Sequence, residues 1–466
     1  KMKKQAFNPY LPSYEYIPDG EPYVFNGRVY IYGSHDHYGS PVFCLNDYVS
    51  WSAPIDNLGD WRYEGVSFKK TDDPANIDGR AVLYAPDLTV GPDGKYYLYY
   101  CLDKFPFVSV SVSDEPQGPY NFYGYVHYQD GTRLGEREGD EPQFDPGVLT
   151  EGDKTYLYTG FCGRGDKSRH GSWCVTLDKD MLTIIEEPVI VAPGCEYSSG
   201  TGFEGHAFFE ASSIRKRGDI YYLVYSSEVM HELCYATSKN PREGFVYRGV
   251  IVSNSDIGIG SYKKADMPAC YGANNHGSIV EIGDDWYIFY HRHTNGDWYS
   301  RQGCAEKISF TEDGLIPQVE ITSCGLNGGP LKAEGEYPAY IACNLFTDKP
   351  QLYVADGFPK IMQECTDGEE DLSYITRMYN SSTAGFKYFD FQGVKKITLE
   401  TRAYAKGVFE IRTEIGGKVY GEVEVDYTNI WVKNSAQVNI PDGVHALYVT
   451  FKGDGNPQLR HIGFEK

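Results

Sequence analysis

Helical periodicity is almost missing from this 466-residue chain, and no apolar run approaches the length needed to cross a membrane. Basic residues are scarce: 43 Lys and Arg stand against 65 Asp and Glu, a formal charge of −22. Such an acidic surface repels phosphate backbones and anionic lipid. Nucleic-acid and membrane roles are therefore not expected, and neutral partners such as sugars fit better. The 11 cysteines form no CxxC pair and no regular small-domain framework, so free thiols are expected. The lysines near the start lead into no apolar stretch of a secretory leader. Together these absences predict a cytoplasmic protein, with a secreted or periplasmic location as the alternative if a leader has been removed. The histidines show no HExxH or comparable zinc spacing.

What the chain does have is aromatic residues and a repeat. Aromatics make up 15% of the sequence, and Tyr alone contributes 41 residues, a composition typical of β-strands. One polar residue, a short apolar strand, a Gly turn and an aromatic-rich strand recur five times, led by Glu21, Asp87, Asp145, Glu210 and His276 at intervals of 58 to 66 residues. Each segment reads as a hairpin, and the interval suits a four-stranded blade with generous loops. The predicted fold is all-β, a five-bladed β-propeller over residues 1–325. The repeat stops near residue 320, and Gly325–Pro330 is a turn-rich break. Short alternating strands resume beyond it, so residues 326–466 are expected to form a β-sandwich.

The five repeat leaders are all titratable. The innermost strand of each propeller blade lines the central axis, so equivalent positions are expected to meet at one mouth of the channel. Crowded carboxylates cannot all ionise cheaply. One then stays protonated and donates to a leaving oxygen, while another stays ionised and activates water. Glycoside hydrolysis needs this division of labour.

Specific motifs support that chemistry. They are an acidic residue before Pro followed by Tyr32-Gly33-Ser34-His35-Asp36, then Tyr84-Ala85-Pro86-Asp87, Asp145-Pro146, Phe208-Phe209-Glu210-Ala211-Ser212 and Asn275-His276-Gly277-Ser278. As a set they make residues 8 to about 320 resemble glycoside hydrolase family 43, whose arabinofuranosidases, xylosidases and arabinanases are five-bladed propellers. The resemblance implies Glu210 as the general acid, Asp87 as the residue that tunes and orients it, and His276 on the axis, where the family often holds a calcium ion partly through water. It also implies that Arg301 reaches the sugar site. The repeat register puts Glu21 at the position of the general base, with Asp19 as the alternative. The family's usual base is Asp, and Glu21 departs from it. His35, Asp36 and Asp145 are the remaining candidates to border the substrate.

Beyond the break, the chain resembles the β-sandwich of carbohydrate-binding module family 6, with Tyr388 and Trp431 as candidate stacking residues. The activity expected is inverting hydrolysis of α-L-arabinofuranosyl or β-D-xylosyl linkages in plant oligosaccharides. No cofactor is expected in the chemistry, and a structural Ca²⁺ near His276 is the one metal considered. The partners expected are oligosaccharide or polysaccharide substrates, with no nucleic acid and no membrane. A non-catalytic sugar-binding propeller, a glycosidase for another sugar such as galactose and a glycoside phosphorylase are the alternatives.

Overall fold

The computed structural model describes residues 2–259, 267–364 and 371–466. Five antiparallel sheets succeed one another along the first two-thirds of the chain. Blade 1 is Glu21–Phe25, Arg28–Tyr32, Tyr48–Pro54 and Arg62–Phe68, in chain order from the axis outward. Blade 2 begins with Asp87–Val90, blade 3 with Gly147–Glu151 and blade 4 with Phe208–Arg217, each followed by three more strands. Among the described residues blade 5 has three: Ile279–Ile282, Asp285–Arg292 and Gln302–Ile308.

The N-terminal segment completes that last blade. Tyr10 N–H donates to Gly303 O, and the buried Asn8 side chain bonds both Ala305 O, at 2.8 Å, and Ala305 N–H, at 3.0 Å. An amide side chain thus satisfies a strand edge as a neighbouring strand would, which stops the edge from pairing elsewhere. The inner strands of blades 1 and 5 pack together, so the ring is closed.

Residues 331–466 form two facing six-stranded sheets. The turn Gly325–Asn327 separates the last propeller strand from the first strand of the sandwich, Leu331–Lys332. The two domains share one continuous apolar core, in which Tyr235, Tyr290 and Ile316 of the propeller side join Phe386 and Phe389 of the sandwich. A buried ion pair crosses the same boundary: Lys387 Nζ lies 2.9 Å from Asp256 Oδ2 and 3.4 Å from Glu320 Oε1. Tyr388 donates its hydroxyl to Glu320 at 2.6 Å. Tyr388 is therefore a residue of the domain junction and not an exposed sugar platform.

Trp431 is covered as well. Arg402 and Arg460 lie over its ring, with guanidinium carbons 4.2 and 4.6 Å from the ring centre. Among the described residues the freely exposed tyrosine rings on the sandwich are those of Tyr379, Tyr404 and Tyr427.

Candidate active site

Hairpin pairing fixes how far down the axis each repeat leader sits. Asp19 lies six residues before Phe25, the last paired residue of its inner strand; Asp145 lies six before Glu151 and His276 six before Ile282. Glu210 lies seven before Arg217, and a bulge between Glu210 and Ser213 absorbs the extra residue. These four form one layer. Glu21 lies four residues before Phe25, and Asp87 four before Gly91, whose N–H bonds Lys95 O and closes the blade 2 turn. Two residues along a strand keep the same face but descend by roughly 6–7 Å. Glu21 and Asp87 therefore belong to a second, deeper layer.

The burial pattern matches this offset. A cavity of about 360 Å³ at the mouth is lined by Asp19, Asp145, Glu210, His276, Asn274 and Arg301. Glu21 and Asp87 do not reach it, and both are fully buried. Glu21 Oε2 accepts from Arg215 at 3.0 Å and from Ser213 Oγ at 2.9 Å. Asp87 accepts from the Tyr23 hydroxyl at 2.6 Å and from Val148 N–H at 2.8 Å. Burial first, and then the neighbouring Glu21, push the Asp87 carboxyl up to about 8. The expectation that Glu21 activates water and Asp87 tunes the acid is thus corrected. Neither carboxyl lines the cavity, and both bond groups of other blades below its floor. Glu21→Gln is expected to cost stability, up to about 3–5 kcal/mol, because it strips the buried Arg215 of its ionic partner. The loss shrinks to the extent that Asp87 then ionises in its place. Urea unfolding compared with turnover checks this, since stability should fall well before activity does.

The local backbone at the upper layer is strained. Asp19, Asp145 and Ala211 have φ of 60°, 48° and 70°, a left-handed conformation rare outside glycine. Such residues persist only where the surroundings over-determine them, and they cluster at functional sites. Two glycines allow the approach. A Cβ on Gly33 would lie 2.4 Å from Pro18 O, behind Asp19, and one on Gly277 would lie 1.7 Å from Phe289 O, behind His276. The Gly33 and Gly277 of the motifs are thus explained by packing.

Around Asp19 the groups are cationic or donating. Ser34 Oγ donates to its carboxylate at 2.7 Å and Arg301 Nη1 at 3.3 Å. Its own N–H donates to His291 Nδ1 at 3.1 Å, which makes Nε2 the protonated nitrogen of that ring. Burial opposes ionisation of Asp19, but the charges of Arg301 and His276, with the Ser34 hydrogen bond, outweigh it and bring the carboxyl to about 2.

Glu210 is the opposite case. No hydrogen bond from a described residue reaches its carboxyl, and burial, followed by the charges of Asp145 and Asp19, pushes it well above the usual carboxylate range. Asp145 accepts from Ala211 N–H at 3.1 Å, one residue beyond Glu210. Burial pushes Asp145 itself up to about 7.

The imidazole of His276 reaches from the upper layer toward the deeper one. Its Nδ1 is 3.6 Å from Asp19 and 3.8 Å from Asp145, and its Nε2 is 3.6 Å from Glu21 Oε1. Burial alone would lower its pKa, but these three carboxyls bring it to about 9. His276 would give a calcium ion one imidazole nitrogen, and calcium takes six to eight oxygens, so water would have to supply most of the ligands there. Glu21 Oε1 and His276 Nε2 are both buried without a hydrogen-bond partner among the described residues, and they face each other at 3.6 Å as an ionic contact.

The other candidates divide. Arg301 lines the cavity, while Asp36 lies behind it and holds the guanidinium through Nε at 2.8 Å and Nη2 at 3.1 Å. Asp36 therefore orients Arg301 and does not border substrate. His35 is turned into blade 1, bonding Glu15 at 2.6 Å and Asp47 O at 2.7 Å, so it too is removed from the substrate residues.

Sequence reading missed the aromatic wall. Tyr84, Phe144, Phe161 and Phe209 follow one another along one side in T-shaped and tilted contacts at centroid separations of 5.1 to 5.6 Å, and Phe43 and Trp298 stand among the other lining residues. Tyr84, Phe144 and Phe161 come from separate loops and Phe209 from the first strand of blade 4, and the one available signal was their position next to the acidic motifs.

Residues 17–316 match the family described as Glycosyl hydrolases family 43. A protein of Thermoclostridium stercorarium named xylosidase/arabinosidase is 64% identical, over 98% of this chain and 98% of its own. A xylosidase/arabinosidase of Bacteroides ovatus is 30% identical, over 67% of this chain and 97% of its own. Among solved structures, a family 43 arabinoxylan arabinofuranohydrolase from Bacillus subtilis, in complex with cellotetraose, covers 98% of this chain and 97% of its own, with a TM-score of 0.54 at 22% identity. That likeness is one of fold, and it extends over both domains. A β-xylosidase/α-arabinofuranosidase from a compost metagenome, in complex with xylotriose, covers 68% of this chain and 98% of its own, with a TM-score of 0.52 at 27% identity. The chain therefore belongs to glycosyl hydrolase family 43, and it is a glycosidase.

Proposed function

We propose that this glycosidase removes α-L-arabinofuranosyl or β-D-xylosyl units from arabinoxylan-type oligosaccharides by single displacement, with Asp19 as base and Glu210 as acid. The observation that carries the assignment is the protonation contrast in one cavity: Asp19 is held down to about 2 while Glu210 is held well above the carboxylate range. Asp19 takes a proton from water as the water oxygen bonds the anomeric carbon. Glu210 gives its proton to the glycosidic oxygen as that carbon–oxygen bond breaks. Attack from the face opposite the leaving group inverts the anomeric centre. Arg301, fixed by Asp36, offers donors to sugar hydroxyls beside Asp19. The aromatic wall supplies flat apolar faces for the ring. The substrate class is supported by the xylosidase/arabinosidase names of the relatives, and a cavity of about 360 Å³ suits one or two sugar rings.

The test is a screen of aryl glycosides of arabinofuranose, xylopyranose and galactopyranose, with the configuration of the first-formed sugar followed by proton NMR. Release of arabinose or xylose with inverted configuration is expected. Retention, or release from none of the three, would refute the proposal, and the latter would favour a sugar-binding propeller.

Asp145 has a supporting role that a pH profile can isolate. A general acid works protonated, so activity falls as pH rises through the pKa of Glu210. The negative charge of Asp145 raises that pKa. Asp145→Asn is therefore expected to move the basic limb of kcat to lower pH. An unmoved limb would mean that Asp145 acts only through the Ala211 backbone.

A further inference from the structure

A second cavity, of about 220 Å³, lies in blade 3 behind the active-site wall. Its base is apolar: Leu134, Leu157, Val175, Pro188 and the Trp173 ring. Its polar lining comes from Glu138, Asp140, Glu141, Gln143, Glu187 and Arg137. The two cavities share one segment of chain. Gln143 lines the blade 3 cavity, while the next two residues, Phe144 and Asp145, line the active site.

The polar groups here are rigidly held. Gln143 accepts from Thr159 Oγ1 at 2.5 Å and donates to Glu141 O at 2.9 Å. Glu141 accepts from the Trp173 ring N–H and from His170 N–H at 2.7 Å. Arg137 is stacked on Tyr128, 3.7 Å from the ring centre, and paired with Glu187 at 2.9 Å. Asp140 accepts from the Tyr128 hydroxyl at 2.8 Å and from Gly135 N–H at 2.9 Å. The result is an aromatic face beside an ordered ring of oxygen acceptors. Four carboxylates face one guanidinium, so the cavity disfavours acidic ligands and favours neutral molecules rich in hydroxyl donors. Its volume is below the range that drug-sized ligands occupy and leaves room for a single sugar ring.

We propose that this cavity is a non-catalytic subsite for one neutral sugar unit of an oligosaccharide or polysaccharide, stacked on Trp173 and held through its hydroxyls by the carboxylate rim. It would keep a polymeric substrate near the catalytic mouth. The inference rests on the proposed action on pentosyl chains, and the experiment keeps the two apart.

Hydrolysis of an aryl pentoside and of soluble arabinoxylan is measured for the unmodified enzyme, Trp173→Ala and Glu187→Trp. The Glu187 side chain is 70% exposed, so a bulky ring there covers the mouth of the cavity without disturbing the core. Both variants are expected to leave the aryl pentoside kinetics unchanged and to raise KM on arabinoxylan about two- to tenfold, the range typical for loss of one stacking contact. In a Glu210→Gln background, in which xylotriose is turned over about 10²–10⁴-fold more slowly, calorimetry with xylotriose is expected to give two sites, and one site once either change is added. Unaltered KM on arabinoxylan in Glu187→Trp, or a single xylotriose site from the outset, would overturn the subsite. Should Trp173→Ala fail to fold, Glu187→Trp decides alone. If the unmodified enzyme cleaves neither substrate, the hydrolytic reading fails, and the count of xylotriose sites still decides the subsite.

Discussion

Asp19→Ala is expected to lower kcat by about 10²–10⁴-fold, the contribution of a positioned general base. KM should change little, since the carboxylate acts on water and not on the sugar ring. Exogenous azide should restore part of the rate with aryl substrates, because a small anion fits the space left by the carboxylate and needs no proton removed. The glycosyl azide formed should have inverted configuration. The fold should survive, although Arg301 loses one of its two carboxylate partners. Asp36 still holds that guanidinium through two hydrogen bonds, and its Oδ2 also takes the Arg301 backbone N–H at 3.1 Å. Circular dichroism and a melting curve accompany the kinetics. Full activity in Asp19→Ala together with a dead but folded Glu21→Gln would return the base to the deeper layer.

Glu210→Gln is expected to produce the second large effect, and its size depends on the leaving group. With an unactivated sugar alcohol as leaving group, loss of the proton donor should cost about 10²–10⁴-fold in kcat. With a nitrophenolate, which departs without a proton, the loss should be far smaller. The amide retains the shape of the side chain, so substrate affinity should hold. The pH profile supplies a second readout: on activated substrates the basic limb caused by deprotonation of Glu210 should vanish. Equal losses on both kinds of leaving group would remove Glu210 from the acid role.

These two residues differ in how readily the sequence disclosed them. Phe208-Phe209-Glu210-Ala211 announced itself as a repeat leader. Asp19 was masked by Glu21, because both point to the axis from one strand. Period-two alternation fixes the face of a side chain and says nothing of its height. Height depends on where the hairpin turn closes. Blade 1 turns directly after Phe25, whereas the longer turn of blade 2 keeps Gly91 paired with Lys95. The same ambiguity pulled Asp87 into the upper layer, where Ala85 stands instead. The bulge that delivers Glu210 to the cavity is likewise invisible in the spacing.

The sequence by itself determined the all-β character, the five hairpins, the second β-domain and the set of acidic residues aimed at one axis. These follow from local properties: strand alternation, turn residues and repeat spacing. The tertiary structure alone decided which carboxyls reach the cavity, which are locked beneath it by Arg215 and Tyr23, and which neighbours set their protonation. It also decided that Asp36 serves Arg301, that His35 serves Glu15, and that Arg402 and Arg460 cover Trp431. The physical reason is common to all of these. Burial and charge proximity depend on residues tens to hundreds of positions apart, such as Asp19 with Arg301 or Glu21 with Arg215. No local pattern encodes how closely two distant strands bring them together.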